Sequence, residues 1–318
     1  MIGLGSVVGF AIVFLLVAVA TSALACAAIA LAGPALAARG AAVEKRAVEL
    51  AAIAPVVIAG VVVTALIAHS AIAVDHCGVH DHHAHLCVAH GDAWLTRPWA
   101  VAVGAAALVV VLGRALLLAA SLVRTRARVA ALRRHARAID DVLVVESPRA
   151  FAFVAGVRRP AIFASTAVWH GLADDERAAV LAHERGHVRG GDVGRRVVLE
   201  LATIATAPGV PGFLAARWHD ANERLRDHGA AAVTSSEAVA RALVRMCRLG
   251  AVHVAGMSFE AGAASLERRV HGVLDDAPVG GAAARTLAIA AIVVASALAC
   301  AAIVYVDPLH HALETLLG

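Results

Sequence analysis

The sequence predicts an α-helical multi-pass membrane protein that carries an α+β domain between its third and fourth spans. Three observations lead there. Of 318 residues, 60% are hydrophobic and only 16% charged, against about a quarter charged in ordinary globular domains. Four apolar runs are each long enough to supply the roughly 20 residues a helix needs to cross the hydrocarbon core. Between the last two lie residues 124–285, enough for one compact domain. The same numbers exclude other classes: low charge argues against disorder, and 5 Cys in so long a chain argue against a disulfide scaffold. The net charge of +4 comes from 27 Arg and a single Lys, Lys45. These residues flank apolar runs and form no single patch, so no direct nucleic-acid partner is expected.

The first run, residues 2–31, has no charge. It lacks the positive flank of a signal peptide and is longer than its apolar core, so it reads as a retained span. Gly33 and Pro34 end it. The second run covers residues 50–74, the third 99–123 and the fourth 286–306, where Asp307 and Pro308 stop it. Residues 1–123 thus hold three spans, and 307–318 form a short tail. Cytoplasmic loops hold Lys and Arg in excess. Arg39, Lys45 and Arg46 lie between spans one and two, and Arg124, Arg126, Arg128, Arg133, Arg134 and Arg137 follow span three, whereas residues 75–98 contain only Arg97. The expected arrangement in a bacterial cell (inner) membrane therefore exports both termini and the 75–98 loop and leaves residues 124–285 in the cytoplasm. Arg114, inside span three, is expected to snorkel towards the headgroups and has no assigned role.

The cytoplasmic region begins with a basic helix. Residues 142–146, 151–155 and 161–165 then read as strands of a small antiparallel sheet, separated by Ser147-Pro148 and the turn at 156–160. From Asp174 the pattern turns helical. Asp174, Asp175 and Glu176 suit the positive end of the helix dipole, and Gly190-Gly191 end the helix. This helix contains His183-Glu184-Arg185-Gly186-His187, an H-E-x-x-H motif. Histidines four apart project from one face, so both imidazoles can reach one Zn²⁺, and Glu184 can take a proton from water at the open position. With 17 His and 11 Glu in the chain, chance would produce the motif in roughly 3 of 100 shuffled sequences, so context has to decide.

A catalytic zinc needs a third protein ligand. His219, Asp220, Glu223, Asp227 and His228 lie on a helix expected over residues 211–232. Glu223 is the expected ligand and His219 its main competitor. Asp227, on the same face, is expected to hold a ligating imidazole in its tautomer. Residues 193–207 are apolar but too short for a fifth span, and a crossing there would separate Glu223 from His183 by a membrane. They read as a helix packed within the domain or leaning on the membrane surface.

Phe153-Val154-Ala155-Gly156, Arg159-Pro160, the run Leu181-Ala182-His183-Glu184-Arg185-Gly186-His187-Val188-Arg189-Gly190-Gly191-Asp192, the Glu223 to Asp227 spacing and Leu266-Glu267-Arg268-Arg269 together resemble the BlaR/MecR-type membrane zinc metallopeptidases. HtpX-type proteases share the same motif logic. The resemblance implies a gluzincin-like fold, with the zinc helix beside a sheet whose edge strand holds substrate as an added strand. It implies His183, His187 and Glu223 as Zn²⁺ ligands and Glu184 as general base. Asp192, the last residue of the quoted run, joins Asp227 as a carboxylate expected behind the ligands. Only 12 residues, 307–318, follow the fourth run, so the extracellular penicillin-binding sensor of the β-lactam receptors is not expected, and β-lactam sensing does not carry over. Gly186 also stands where a better helix former is expected, at a cost of roughly 1 kcal/mol unless close packing requires it.

The exported loop has His76, His80, His82, His83, His85 and His90 interleaved with Cys77 and Cys87. Imidazoles in such a tract can bind Zn²⁺, Cu²⁺ or Ni²⁺, and the two cysteines can form a disulfide outside the cytoplasm. The leading expectation is a membrane-embedded zinc endopeptidase, acting on a protein or peptide such as a cytoplasmic transcriptional repressor, with the lipid bilayer as its other partner. The alternative is a non-catalytic, metal- or stress-responsive receptor whose zinc site is structural. A transporter fits least, because the spans lack the broken, polar pairs of a midplane site.

Overall fold

The structure, a computed structural model, describes residues 4–72, 97–250, 259–275, 279–287 and 289–291, with residues 301, 305 and 312. It opens with α1 (Leu4–Ala38), α2 (Ala41–Ile72) and α3 (Pro98–His135). All three are long and apolar enough to cross a membrane. The third apolar run and the basic stretch after it are one continuous helix, which carries Arg124, Arg126, Arg128, Arg133 and Arg134 beyond the apolar part. The six loop histidines, Cys77 and Cys87 lie outside the described residues, as do most of residues 286–306 and the tail. A shorter apolar helix covers Gly281–Ala291.

Four strands follow: β1 (Ala136–Ile139), β2 (Val142–Val145), β3 (Ala152–Ala155) and β4 (Ala161–Ser165). Their order is β1-β2-β4-β3. The sheet is mixed, correcting the antiparallel expectation: β1 with β2 and β3 with β4 are antiparallel hairpins, but β2 and β4 run parallel. The cause is the connection after β2, which carries the chain past the neighbouring position so that β3 becomes an edge and β4 inserts between. Ser147 and Phe151 at the ends of that connection are tied to Thr166 and Ser165. β1 takes the place of the expected last turn of the basic helix, which ends at His135. It forms because Asp140, at φ +51°, turns the chain between two apolar segments, a conformation aspartate tolerates better than most residues.

The helices that follow are α4 (Thr166–Gly171), α5 (Asp174–Gly190), α6 (Asp192–Ala202), α7 (Val210–Ala231), α8 (Ser236–Arg248) and α9 (Phe259–Leu274). Leu181 of α5 packs on Val142, Val144, Ile162 and Ala164 of the sheet. Another part of α5 meets α7 and α8 through Ala179, Ala182, Ala230, Ala238 and Ala242. Small side chains at those positions let the helices approach closely, because interaxial distance follows the contacting residues.

Residues 193–207 form no fifth span. α6 is 11 residues long, and a turn joins it to α7. Leu199, Val210, Leu214 and Trp218 of this pair pack on Ile29, Val48 and Ala52 of α1 and α2. The turn is tied to the apolar helices by polar contacts: Ser22 Oγ accepts from Ala207 N at 3.1 Å. Arg114 corrects the snorkelling expectation. It donates to the carbonyls of Ile204 and Thr206 at 2.9 and 2.8 Å, serving groups that have left the regular helix ladder. Arg114→Leu removes both donors while keeping a helix former, and is expected to cost about 2–4 kcal/mol. Hydrogen exchange in the detergent-solubilised protein should then accelerate at residues 203–209; unchanged exchange there would show that the turn does not depend on Arg114.

Candidate metal centre

α5 begins with Glu176 accepting from the Ala173 backbone N–H at 3.1 Å and ends at Gly191, whose φ of +62° places it in the left-handed region. That reversal starts α6 at once and folds Asp192 back towards the last turns of α5. His183 and His187 lie one turn apart, with their Nε2 atoms 3.0 Å from each other. Glu223, from α7, brings Oε2 to 3.4 Å from His183 Nε2 and Oε1 to 3.3 Å from His187 Nε2. Among the described residues these three side chains could hold a metal ion, with ligand atoms all within 4.8 Å of one another. Two ligands at zinc–nitrogen distances of 2.0–2.1 Å in a tetrahedron stand about 3.3 Å apart. The two histidine–glutamate separations match that spacing, and the histidine pair needs to open by only a few tenths of an ångström. The donor set fits Zn²⁺.

Both imidazoles are held from behind. Asp227 Oδ1 lies 2.8 Å from His183 Nδ1, and Asp192 Oδ2 lies 2.9 Å from His187 Nδ1. A carboxylate at Nδ1 directs the Nε2 lone pair of a neutral ring at the ligand. The structure therefore brings His183, His187, Glu223, Asp227 and Asp192 into one cluster. His219 is set apart: its Nδ1 is 3.8 Å from Glu223 Oε1, and it does not join the metal-holding group.

Three cations support these carboxylates. Arg269 of α9 donates to both oxygens of Asp227, at 2.7 and 2.9 Å, and lies 3.1 Å from Glu223 Oε2. Arg226 of α7 forks onto Asp192 at 2.7 and 2.8 Å. Lys45 of α2 reaches Asp192 Oδ1 at 2.9 Å. The resemblance included Arg269 in a motif without a role, and no local pattern announces the other two, since their partners are 34 and 147 positions away.

Gly186 and Gly190 make room for this fork. A Cβ at Gly186 would stand 3.0 Å from Arg226 Cδ, and one at Gly190 only 1.9 Å from Arg226 Nη2. Close packing is thus the reason for a glycine inside the motif helix. Gly190→Ala is expected to push Arg226 off Asp192 and weaken zinc binding about 10-fold, measured by competition with a chromophoric chelator. Wild-type affinity in that variant would remove the fork from the account.

Burial pushes the Glu184 carboxyl above the usual range, moderated by the neighbouring imidazoles. This favours a proton-accepting role over a permanently charged one. Burial also opposes ionisation of Glu223 and Asp227, but Arg269 and the imidazoles outweigh it and hold both carboxyls below their ordinary values. For His183, burial lowers the pKa, yet the hydrogen bonds and charges of Asp227 and Glu223 raise it to about 10; His187 moves in the same direction. A metal ion must displace those protons. Zinc binding is therefore expected to release protons and to weaken as pH falls from 8 to 6. Calorimetry in buffers of different ionisation enthalpy checks this, and an affinity independent of pH would contradict it.

Residues 118–271 match the model of Peptidase family M48, a family of zinc metallopeptidases. The matched segment runs from within α3 into α9 and contains the whole histidine–glutamate cluster. This supports a metallopeptidase, at a coarser level than the BlaR/MecR type. Comparisons with curated proteins and with solved structures gave no match.

Proposed function

We propose that the chain is a membrane-anchored zinc endopeptidase that hydrolyses peptide bonds on the cytoplasmic side of a bacterial inner membrane. The observation that carries this reading is the convergence of His183, His187 and Glu223 beside the buried carboxyl of Glu184. Three protein ligands is the number a catalytic zinc has, whereas a structural site is closed by four. Bound there, zinc supplies Lewis acidity towards the scissile carbonyl and acidifies water. Glu184 takes the proton of the attacking water as the new C–O bond forms, and delivers it to the amine nitrogen as the C–N bond breaks. Of the groups that could support the carbonyl oxygen, Arg226 is committed to Asp192 and His228 Nδ1 to the Arg224 carbonyl. His219, partly exposed beside Glu223, is the remaining choice.

The BlaR/MecR-type relationship, a regulatory protein such as a cytoplasmic repressor as substrate, export of both termini and of the 75–98 loop, and metal binding by that loop are parts of the same proposal. They rest on the motifs and on the Lys and Arg distribution.

Purified full-length protein is expected to hold about one zinc per chain, lost in His183→Ala and Glu223→Ala and retained in His219→Ala. Zinc retained by Glu223→Ala and lost by His219→Ala would reassign the third ligand. Glu184→Gln should keep the metal while self-cleavage or casein cleavage falls at least 100-fold; undiminished cleavage would refute the mechanism. Topology is checked with single probe cysteines in a cysteine-free background. One at Asp81 should react with an impermeant reagent in intact cells, and one at the exposed Val233 only after lysis. The reverse pattern would move the peptidase to the other side of the membrane.

A further inference from the structure

Lys45 is the only lysine in a chain with 27 arginines, and it is 6% exposed. Its ammonium lies 2.9 Å from Asp192 Oδ1 and 2.6 Å from Asn222 Oδ1, with the Trp218 ring 5.2 Å away. Asn222 in turn donates to Asp192 Oδ2 at 3.0 Å, and that oxygen faces His187 Nδ1 at 2.9 Å. Residues on either side of Lys45 in α2 are also bound to α7. Glu44 accepts from Arg217 at 2.6 Å and pairs with Arg224, while Glu49 accepts from Trp218 Nε1 at 3.2 Å. The start of α2 is thus fastened along the helix that presents Glu223.

A buried ion pair is a weak source of stability, because desolvation offsets most of its attraction and well-packed apolar groups of the same volume often do as well. Asp192 already receives both donors of the Arg226 fork, so charge balance alone does not require a second cation. The ammonium contributes direction. Its three donors diverge from one compact head, so it braces Asp192 and Asn222 together beside a guanidinium already forked onto the same carboxylate. That geometry accounts for lysine at this position in a chain that otherwise uses arginine.

We propose that Lys45 is a positioning residue for the metal centre: it fixes the Asp192 carboxylate and, through it, the ring of His187. The centre then takes one of its orienting groups from α2, which lies outside the matched residues 118–271. The inference rests on the zinc reading above.

The test uses full-length protein in detergent or nanodiscs, with Zn²⁺ affinity measured by chelator competition for wild type, Lys45→Met, Asp192→Asn and the double variant. Lys45→Met keeps the stem and removes the ammonium; zinc affinity is expected to fall about 10-fold or more. Asp192→Asn should lower it at least as far. The double variant should bind no more weakly than Asp192→Asn alone, because Lys45 acts only through Asp192. Wild-type affinity in Lys45→Met, or losses that multiply in the double variant, would overturn the proposal. If Lys45→Met does not fold, the wild-type chain decides. Lysine labelled with ¹³C at Cε gives one signal in a single-lysine protein, which should shift on adding Zn²⁺ and should shift less in Asp192→Asn. A fixed signal in a chain that binds zinc overturns the Lys45 assignment alone. A wild-type chain that binds no zinc overturns the zinc reading and this inference with it.

Discussion

The two contacts between imidazole and buried carboxylate, His183 with Asp227 and His187 with Asp192, set the arrangement of the helices around α5. Burying a carboxylate costs several kcal/mol unless cations and donors surround it. Each of these is surrounded from more than one element. Asp227 lies on α7 and is gripped by Arg269 of α9; Asp192 opens α6 and is gripped by Arg226 of α7 and Lys45 of α2. Four helices are thereby drawn to α5 by requirements that no single one of them can satisfy. The Nε2 atoms that meet Glu223 point where they do because their far nitrogens are already engaged.

Packing follows the same constraint. Gly186 and Gly190 each weaken α5 by roughly 1 kcal/mol relative to alanine. They let the Arg226 side chain lie against that helix and reach Asp192 with both donors. Leaving a buried carboxylate without its partner costs about 3–5 kcal/mol, so keeping the fork on Asp192 outweighs the helix penalty. Gly191 completes the device with its left-handed backbone, since without that reversal Asp192 would not return beneath His187.

The domain is also built into the apolar helices. α6 and α7 share an apolar cluster with α1 and α2, Ser22 and Arg114 serve the backbone of the turn between them, and the charged start of α2 is bound to α7. The helix that carries Glu223 therefore belongs to both parts. Displacement of α2 relative to the domain would be felt along α7, the helix that also carries Asn222, Arg226 and Asp227.

The local sequence determined what depends on neighbours a few positions apart. Three of the apolar runs, the strands at 142–145, 152–155 and 161–165, and the end of α5 at Gly190-Gly191 could be read directly, because periodicity and turn chemistry are short-range. His183, Glu184 and His187 could be read as a motif because one helical turn brings residues four apart together. Only the tertiary structure decided the parallel pairing of β2 with β4, since the six-residue connection 146–151 is compatible with either neighbour. It separated Glu223 from His219, which share a helix and differ by one turn in what they face. It also supplied Lys45, Arg226 and Arg269 as partners of the carboxylates. A buried charge is satisfied by whatever cation the fold delivers, and that cation arrives from another helix without any spacing in the chain to announce it.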